Sequence, residues 1–152
     1  MSDIREVAPT DPALADLIER HLELMYASSP SCSVHAMTAK ALAGADVRFF
    51  ALFEVGEAIA MGALKVIDDT HGEIKSMHVR SDRRGSGLAD AMLAHLLNAA
   101  REAGWSRVSL ETGSQEAFAP ARGLYGRNGF NTCGPFEGYT LDPNSVFMTR
   151  TL

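Results

Sequence analysis

The sequence predicts a mixed α/β domain, one layer of sheet with helices on both faces. Three observations carry that prediction. Strand-like segments crowd the first half of the chain and then alternate with helical ones, in the order β-α-(α)-β-β-β-α-β-α-β-β, an arrangement that builds a covered sheet. The 152 residues suit one domain, read as residues 1–152. Composition is 46% hydrophobic and 22% charged, which excludes a disordered, collagen-like or coiled-coil chain.

Each element has its own local signal. Residues 4–7 read as a short strand. Asp11 before Pro12 is an N-cap followed by a favoured first helical residue. Leu14, Leu17, Ile18, His21, Leu22 and Met25 then recur at spacings of three and four, so a helix runs to about Tyr26 with one apolar face. Residues 27–33 are rich in serine and form a loop, with a short helix expected at 37–43. Residues 47–54 and 58–67 are strands joined as a hairpin at Val55, Gly56 and Glu57. A turn at 68–72 leads into a strand at 73–79, which residues 80–87 break. Leu88, Met92, Leu93, Leu96, Leu97 and Ala100 stripe the next helix until Gly104, placed as a C-terminal stop. A strand at 107–111, a shorter helix at 119–127 and closing strands at 130–133 and 146–149 complete the chain.

Charge narrows the function. Fourteen Lys and Arg stand against nineteen Asp and Glu, a net charge of −5, which argues against a general nucleic-acid or membrane-surface binder. The balance is uneven: residues 1–79 hold six basic and twelve acidic residues, and residues 80–152 hold eight and seven. The acidic start does not suit a secretory signal, and no apolar run is long enough to span a bilayer. Cys32 and Cys133 stand alone, as reduced thiols of a cytoplasmic protein do. His21, His35, His71, His78 and His95 lack metal-ligand spacing, so no metal is expected.

The most informative segment is Arg83, Arg84, Gly85, Ser86, Gly87, Leu88 and Ala89, between a strand and an apolar helix. Glycines let the backbone come close to a ligand, and the helix start offers unpaired N–H groups at a positive dipole end. With Arg80, Arg83 and Arg84 beside it, the turn is an anion site suited to phosphate. The P-loop spacing is absent. A dinucleotide-binding turn fails because Asp90 stands at the third glycine position and four strands precede the turn.

At these residues the sequence resembles the GNAT superfamily of N-acetyltransferases. Arg84-x-x-Gly87-x-Ala89 matches its signature, and Leu124, Tyr125, Gly129 and Phe130 reproduce a second landmark, a helix ending in Tyr-x-x-x-Gly-Phe. The run from Leu110 to Met148 looks like one subgroup of small bacterial acetyltransferases. The resemblance implies a mostly antiparallel sheet of six to seven strands, splayed in the middle. It implies acetyl-CoA as cofactor, inserted between the 73–79 and 107–111 strands. Met77, His78 and Val79 would then offer backbone groups to the pantetheine arm or the thioester carbonyl. Arg84, Gly85, Ser86, Gly87, Leu88 and Ala89 would cradle the pyrophosphate, and Arg83 or Arg80 would meet the 3′-phosphate. Phe118 stands where many relatives carry an asparagine that contacts the pantetheine.

Direct acetyl transfer needs a base for the ammonium, a donor for the carbonyl and an acid for the departing sulfur. The resemblance puts Tyr125 in the acid's role and Glu73 in the base's, with Glu111 and His78 in reserve. Strand alternation would put Glu73, Lys75, Met77 and Val79 on one face. The acceptor pocket is expected between the 26–35 connection and the 135–143 loop, where Phe136 and Tyr139 would form an aromatic wall. The expected acceptor is a primary amine of a small molecule or peptide, and the acidic front half favours a cationic one. A second copy, as a homodimer, is the expected protein partner. A fold that binds acyl-CoA for regulation without turnover is the alternative.

Overall fold

The computed structural model describes residues 3–35 and 37–152. Met1 and Ser2, which belong to the acidic start discussed above, and Ala36 lie outside the described residues. In chain order the strands are β1 (Asp3–Glu6), β2 (Val47–Glu54), β3 (Glu57–Asp68), β4 (His71–Val79), β5 (Arg107–Gly113), β6 (Asn131–Cys133) and β7 (Ser145–Thr151). The helices are α1 (Ala15–Ser28), α2 (Ala39–Leu42), α3 (Leu88–Glu102) and α4 (Ala119–Arg127). The strands form one sheet in the order β1-β2-β3-β4-β5-β7-β6. Every neighbouring pair is antiparallel except β4 with β5.

Alternation along β2 explains how the sheet fills both of its faces. Phe49, Ala51 and Phe53 join Leu14, Leu17 and Ile18 on the α1 side. Phe50 and Leu52 point the other way, into a core with Met92, Leu93 and Leu96 of α3 and Leu124 of α4. Burying a side chain of this size stabilises the fold by about 1.5–3 kcal/mol, so α1 and α3 are anchored chiefly by their apolar stripes. The expected helices on both faces are present.

Two irregularities position the site. The parallel pairing of β4 with β5 runs from His71 opposite Arg107 to Ile74 opposite Leu110 and then stops, so residues 75–79 draw away from β5. This is the splay that the family resemblance implies. The second irregularity lies between β3 and β4, where Met61 pairs with His78 but Ala63 pairs with Lys75. Ser76 and Met77 together oppose Gly62, a bulge with Ser76 in the left-handed region at φ 55°.

That bulge corrects the expected face of β4. Glu73 and Lys75 point toward the α1 side, where Lys75 reaches His35 and Tyr139. Met77 and Val79 lie with the α3 core instead, and His78 turns back to meet His21 of α1. One inserted residue reverses every side chain beyond it.

Candidate active site

The splay opens into a cavity of about 510 Å³, walled by α1, β4, the glycine turn, β5 and α4. Of the residues expected at the site, Arg80, Ser86, Phe136 and Tyr139 do not line this cavity, and the others do. The Ser86 hydroxyl is turned away and donates to the Arg83 carbonyl at 2.6 Å. Along β4, the Arg80 N–H donates to the Ile59 carbonyl of β3 at 2.8 Å. Antiparallel alternation therefore turns the Val79 peptide groups toward the cavity, where the Val79 carbonyl accepts Arg84 Nε at 3.2 Å.

The glycine turn departs from expectation in its reason for glycine. Gly85 and Gly87 have φ of 80° and 83°, and a Cβ at either would meet nothing within 4 Å. The left-handed backbone selects glycine here, rather than a crowding neighbour within the protein. It delivers α3 with no side-chain cap at Gly87, so the first N–H groups of the helix face the turn. The arginines divide. Arg83 pairs with Glu54, and Arg80 with Asp82 at 2.6 Å and Glu57 at 3.4 Å, so the two residues expected to meet a phosphate are already engaged by carboxylates. Arg84 is exposed beside the cavity with the Val79 carbonyl as its partner. Arg127 of α4 also lines the cavity, 2.9 Å from Asp90. Sequence reading missed Arg127, since only the packing of α4 brings it near the start of α3.

Tyr125 is 5% exposed, lies edge-on to Phe130 at 5.7 Å and lines the cavity. Burial raises the pKa of its phenol, so the hydroxyl stays protonated. Phe118 forms part of the same wall, with its ring over the backbone of Gly113. No amide side chain stands at that position.

The two carboxylates differ in their surroundings. Glu73 Oε2 accepts the Tyr139 hydroxyl at 2.6 Å and lies 3.5 Å from Lys75 Nζ. Lys75 in turn donates to Tyr139 at 2.9 Å and to the His35 carbonyl at 3.1 Å. Glu111 is held by one hydroxyl, Ser145 Oγ, at 2.8 Å. Burial pushes its carboxyl up to about 7, against the pull of Ser145 and Lys75 and with the help of Glu73. Deeper on the α1 side, His21 and His78 meet Nδ1 to Nδ1 at 3.1 Å, so one donates to the other. Burial lowers His21 to about 3 and His78 to about 4, with neighbouring positive charge adding to each. Both rings are neutral near pH 7.

The two segments expected to shape the acceptor pocket are tied together. Ser33 Oγ donates to Asp142 Oδ2 at 2.6 Å, and the His35 ring lies edge-on to Tyr139 at 4.9 Å. Phe136 and Tyr139 do form an aromatic group, with Phe147. The Tyr139 hydroxyl, however, serves Glu73, a partnership between residues 66 apart that has no sequence signal.

Residues 14–130 match the acetyltransferase (GNAT) family. An uncharacterized N-acetyltransferase of Bacillus subtilis, YsnE, is 43% identical over 143 residues, covering 94% of this chain and 95% of its own length. A Klebsiella pneumoniae structure described provisionally as an acyl-CoA N-acyltransferase is 31% identical, with a TM-score of 0.81 over 100% of this chain and 98% of its own. The PaiA N-acetyltransferase of Thermoplasma acidophilum, solved in complex with coenzyme A, shares the fold. Its TM-score is 0.78 at 14% identity, over 100% of this chain and 99% of its own.

Proposed function

The chain belongs to the GNAT acetyltransferase family and is an acyltransferase that uses acetyl-CoA, and from that premise we propose direct transfer of the acetyl group to a primary amine of a small molecule or peptide. The residues present suit acetyl-CoA. The uncapped start of α3 and Arg84 suit its phosphates. The β4 peptide groups freed by the splay suit the amides of its pantetheine arm. When bound, acetyl-CoA supplies an acyl group activated as a thioester.

The chain's own residues then divide three tasks. Glu111 takes the proton from the acceptor's ammonium. A backbone N–H among Met77, His78 and Val79 donates to the carbonyl oxygen. Tyr125 donates its proton at the sulfur. We favour Glu111 over Glu73 as base because Glu73 is engaged by Tyr139 and Lys75. The observation that carries the reading is that Glu111, held by the Ser145 hydroxyl, and the buried Tyr125 line one cavity, where burial raises the carboxyl to about 7 and keeps the phenol protonated. Such divergent environments mark base and acid. Two unpaired cysteines, Cys32 and Cys133, support a cytoplasmic location. Among the described residues, no helix is long and apolar enough to cross a membrane.

Free-thiol release from acetyl-CoA, measured across a panel of primary amines, tests the proposal. The wild-type protein should release one thiol per amine acetylated. Tyr125→Phe should lose about a hundredfold or more in turnover, the typical worth of a general acid, while acetyl-CoA still raises its melting temperature. Stabilisation by acetyl-CoA with no thiol release for any amine would contradict transfer and favour the binding-only alternative.

A further inference from the structure

A second recess, of about 380 Å³, lies against β4 on the α1 side of the sheet. Glu73, Lys75 and His35 line both this recess and the main cavity, so the recess adjoins the acceptor end through those three side chains. Lys65 of β3 stands directly across from Glu73 in the strand register and lines the recess as well.

The two lysines are in different situations. The Lys75 side chain is 11% exposed, and its ammonium is engaged by Glu73, Tyr139 and the His35 carbonyl. Lys65 is half-buried, and no carboxylate lies within 4.0 Å of it among the described residues. The recess therefore presents one uncommitted ammonium at its outer end. Glu111 lines the adjoining main cavity, on the same face of the sheet, beyond Ser109 in the β5 register. From Lys65 to Glu111 the backbone path crosses two strand spacings and two residues, roughly 12 Å between Cα atoms. Glu73 and Lys75, paired with each other and with the Tyr139 hydroxyl, stand along this path.

We propose that the acceptor is an amino carboxylate, an amine carrying its own carboxylate a few bonds away. Lys65 holds the carboxylate in the outer recess while the amine points at Glu111. The inference rests on the amine-transfer reading above and names its substrate class. It replaces the purely cationic acceptor expected from the acidic front half, because the charges at the site suit a zwitterion. Glu137, exposed at the rim of the recess, opposes a second carboxylate and so favours acceptors that carry only one.

Matched acceptors test this in the thiol-release assay: leucine against leucinamide, and 4-aminobutyrate against butylamine. The carboxylate-bearing member of each pair should have a kcat/KM about tenfold higher or more, the scale of one charge-assisted contact. Lys65→Met should raise KM for the acid about tenfold and erase its advantage over the neutral partner, and Lys65→Arg should restore it. The stabilisation of each variant by acetyl-CoA reports that the fold is intact. Equal use of acid and neutral partner, or a Lys65→Met loss that is the same for both, overturns the proposal and leaves amine transfer standing. Turnover of none of the four acceptors, or of any other amine, overturns both.

Discussion

Lys75 and Met77 are two residues apart on β4, yet they leave the sheet on opposite faces. Lys75 reaches Tyr139 on the α1 side, and Met77 lies with the α3 core. The bulge at Ser76 makes this possible, and it gives the site two chemical characters. Charged groups gather on the acceptor side, and apolar ones line the far wall of the splay.

The bulge is therefore expected to be sensitive to side-chain shape. Ser76 sits at φ 55°, where a β-branched residue is strongly disfavoured. Ser76→Val should cost about 1–3 kcal/mol in denaturant unfolding and weaken stabilisation by acetyl-CoA, whereas Ser76→Gly should keep both. A Ser76→Val protein as stable as the parent would mean that the strand tolerates a regular pleat.

Gly113 and Phe118 should behave as a coupled pair. A Cβ on Gly113 would lie 2.1 Å from Phe118 Cδ2, so Gly113→Ala must push the ring out of the cavity wall. A loss of about 1–3 kcal/mol is expected, as for other overpacked sites. In the Gly113→Ala, Phe118→Ala double variant the losses should fall short of the sum of the two single ones. Additive losses in thermal unfolding would show that the two residues do not meet.

Local signals made much of the fold readable. The bounds expected for β2 and α4, residues 47–54 and 119–127, are those observed, because alternation and flanking turn residues mark them. The glycine turn was legible for the same reason: positive φ and a helix start leave a residue signature. The bulge was not, because residues 73–79 read as an ordinary strand and its irregularity lies in the pairing with β3. The preference for Glu111 over Glu73 was equally hidden. It depends on Tyr139 reaching Glu73 and on the burial of Glu111, both set by tertiary packing. The direction of the Ser86 side chain was hidden too: its hydroxyl serves the turn itself.

The His21–His78 pair should make the fold acid-sensitive. Both rings are neutral when folded, with pKa values lowered to about 3 and about 4, whereas the unfolded chain protonates them near 6.5. Their contribution is full above pH 6.5 and is lost as the pH falls toward 4, at about 1.4 kcal/mol per pH unit per histidine. His21→Gln should remove one histidine's share of that slope between pH 6 and about 4 in denaturation curves. An unchanged slope would mean that His21 is protonated in the folded protein.

The role of Glu111 makes the most direct demand on the account, through the pH dependence of kcat/KM for thiol release with the best acceptor. Its carboxyl, raised to about 7, must be ionised to accept a proton. Activity should therefore rise with pH through about 7 and level off above it. Glu111→Gln should lower kcat/KM about a hundredfold or more and abolish the rise, while Glu73→Gln keeps it. A Glu111→Gln enzyme that retains the wild-type rise, or a Glu73→Gln enzyme that loses it, would contradict the assignment of the base.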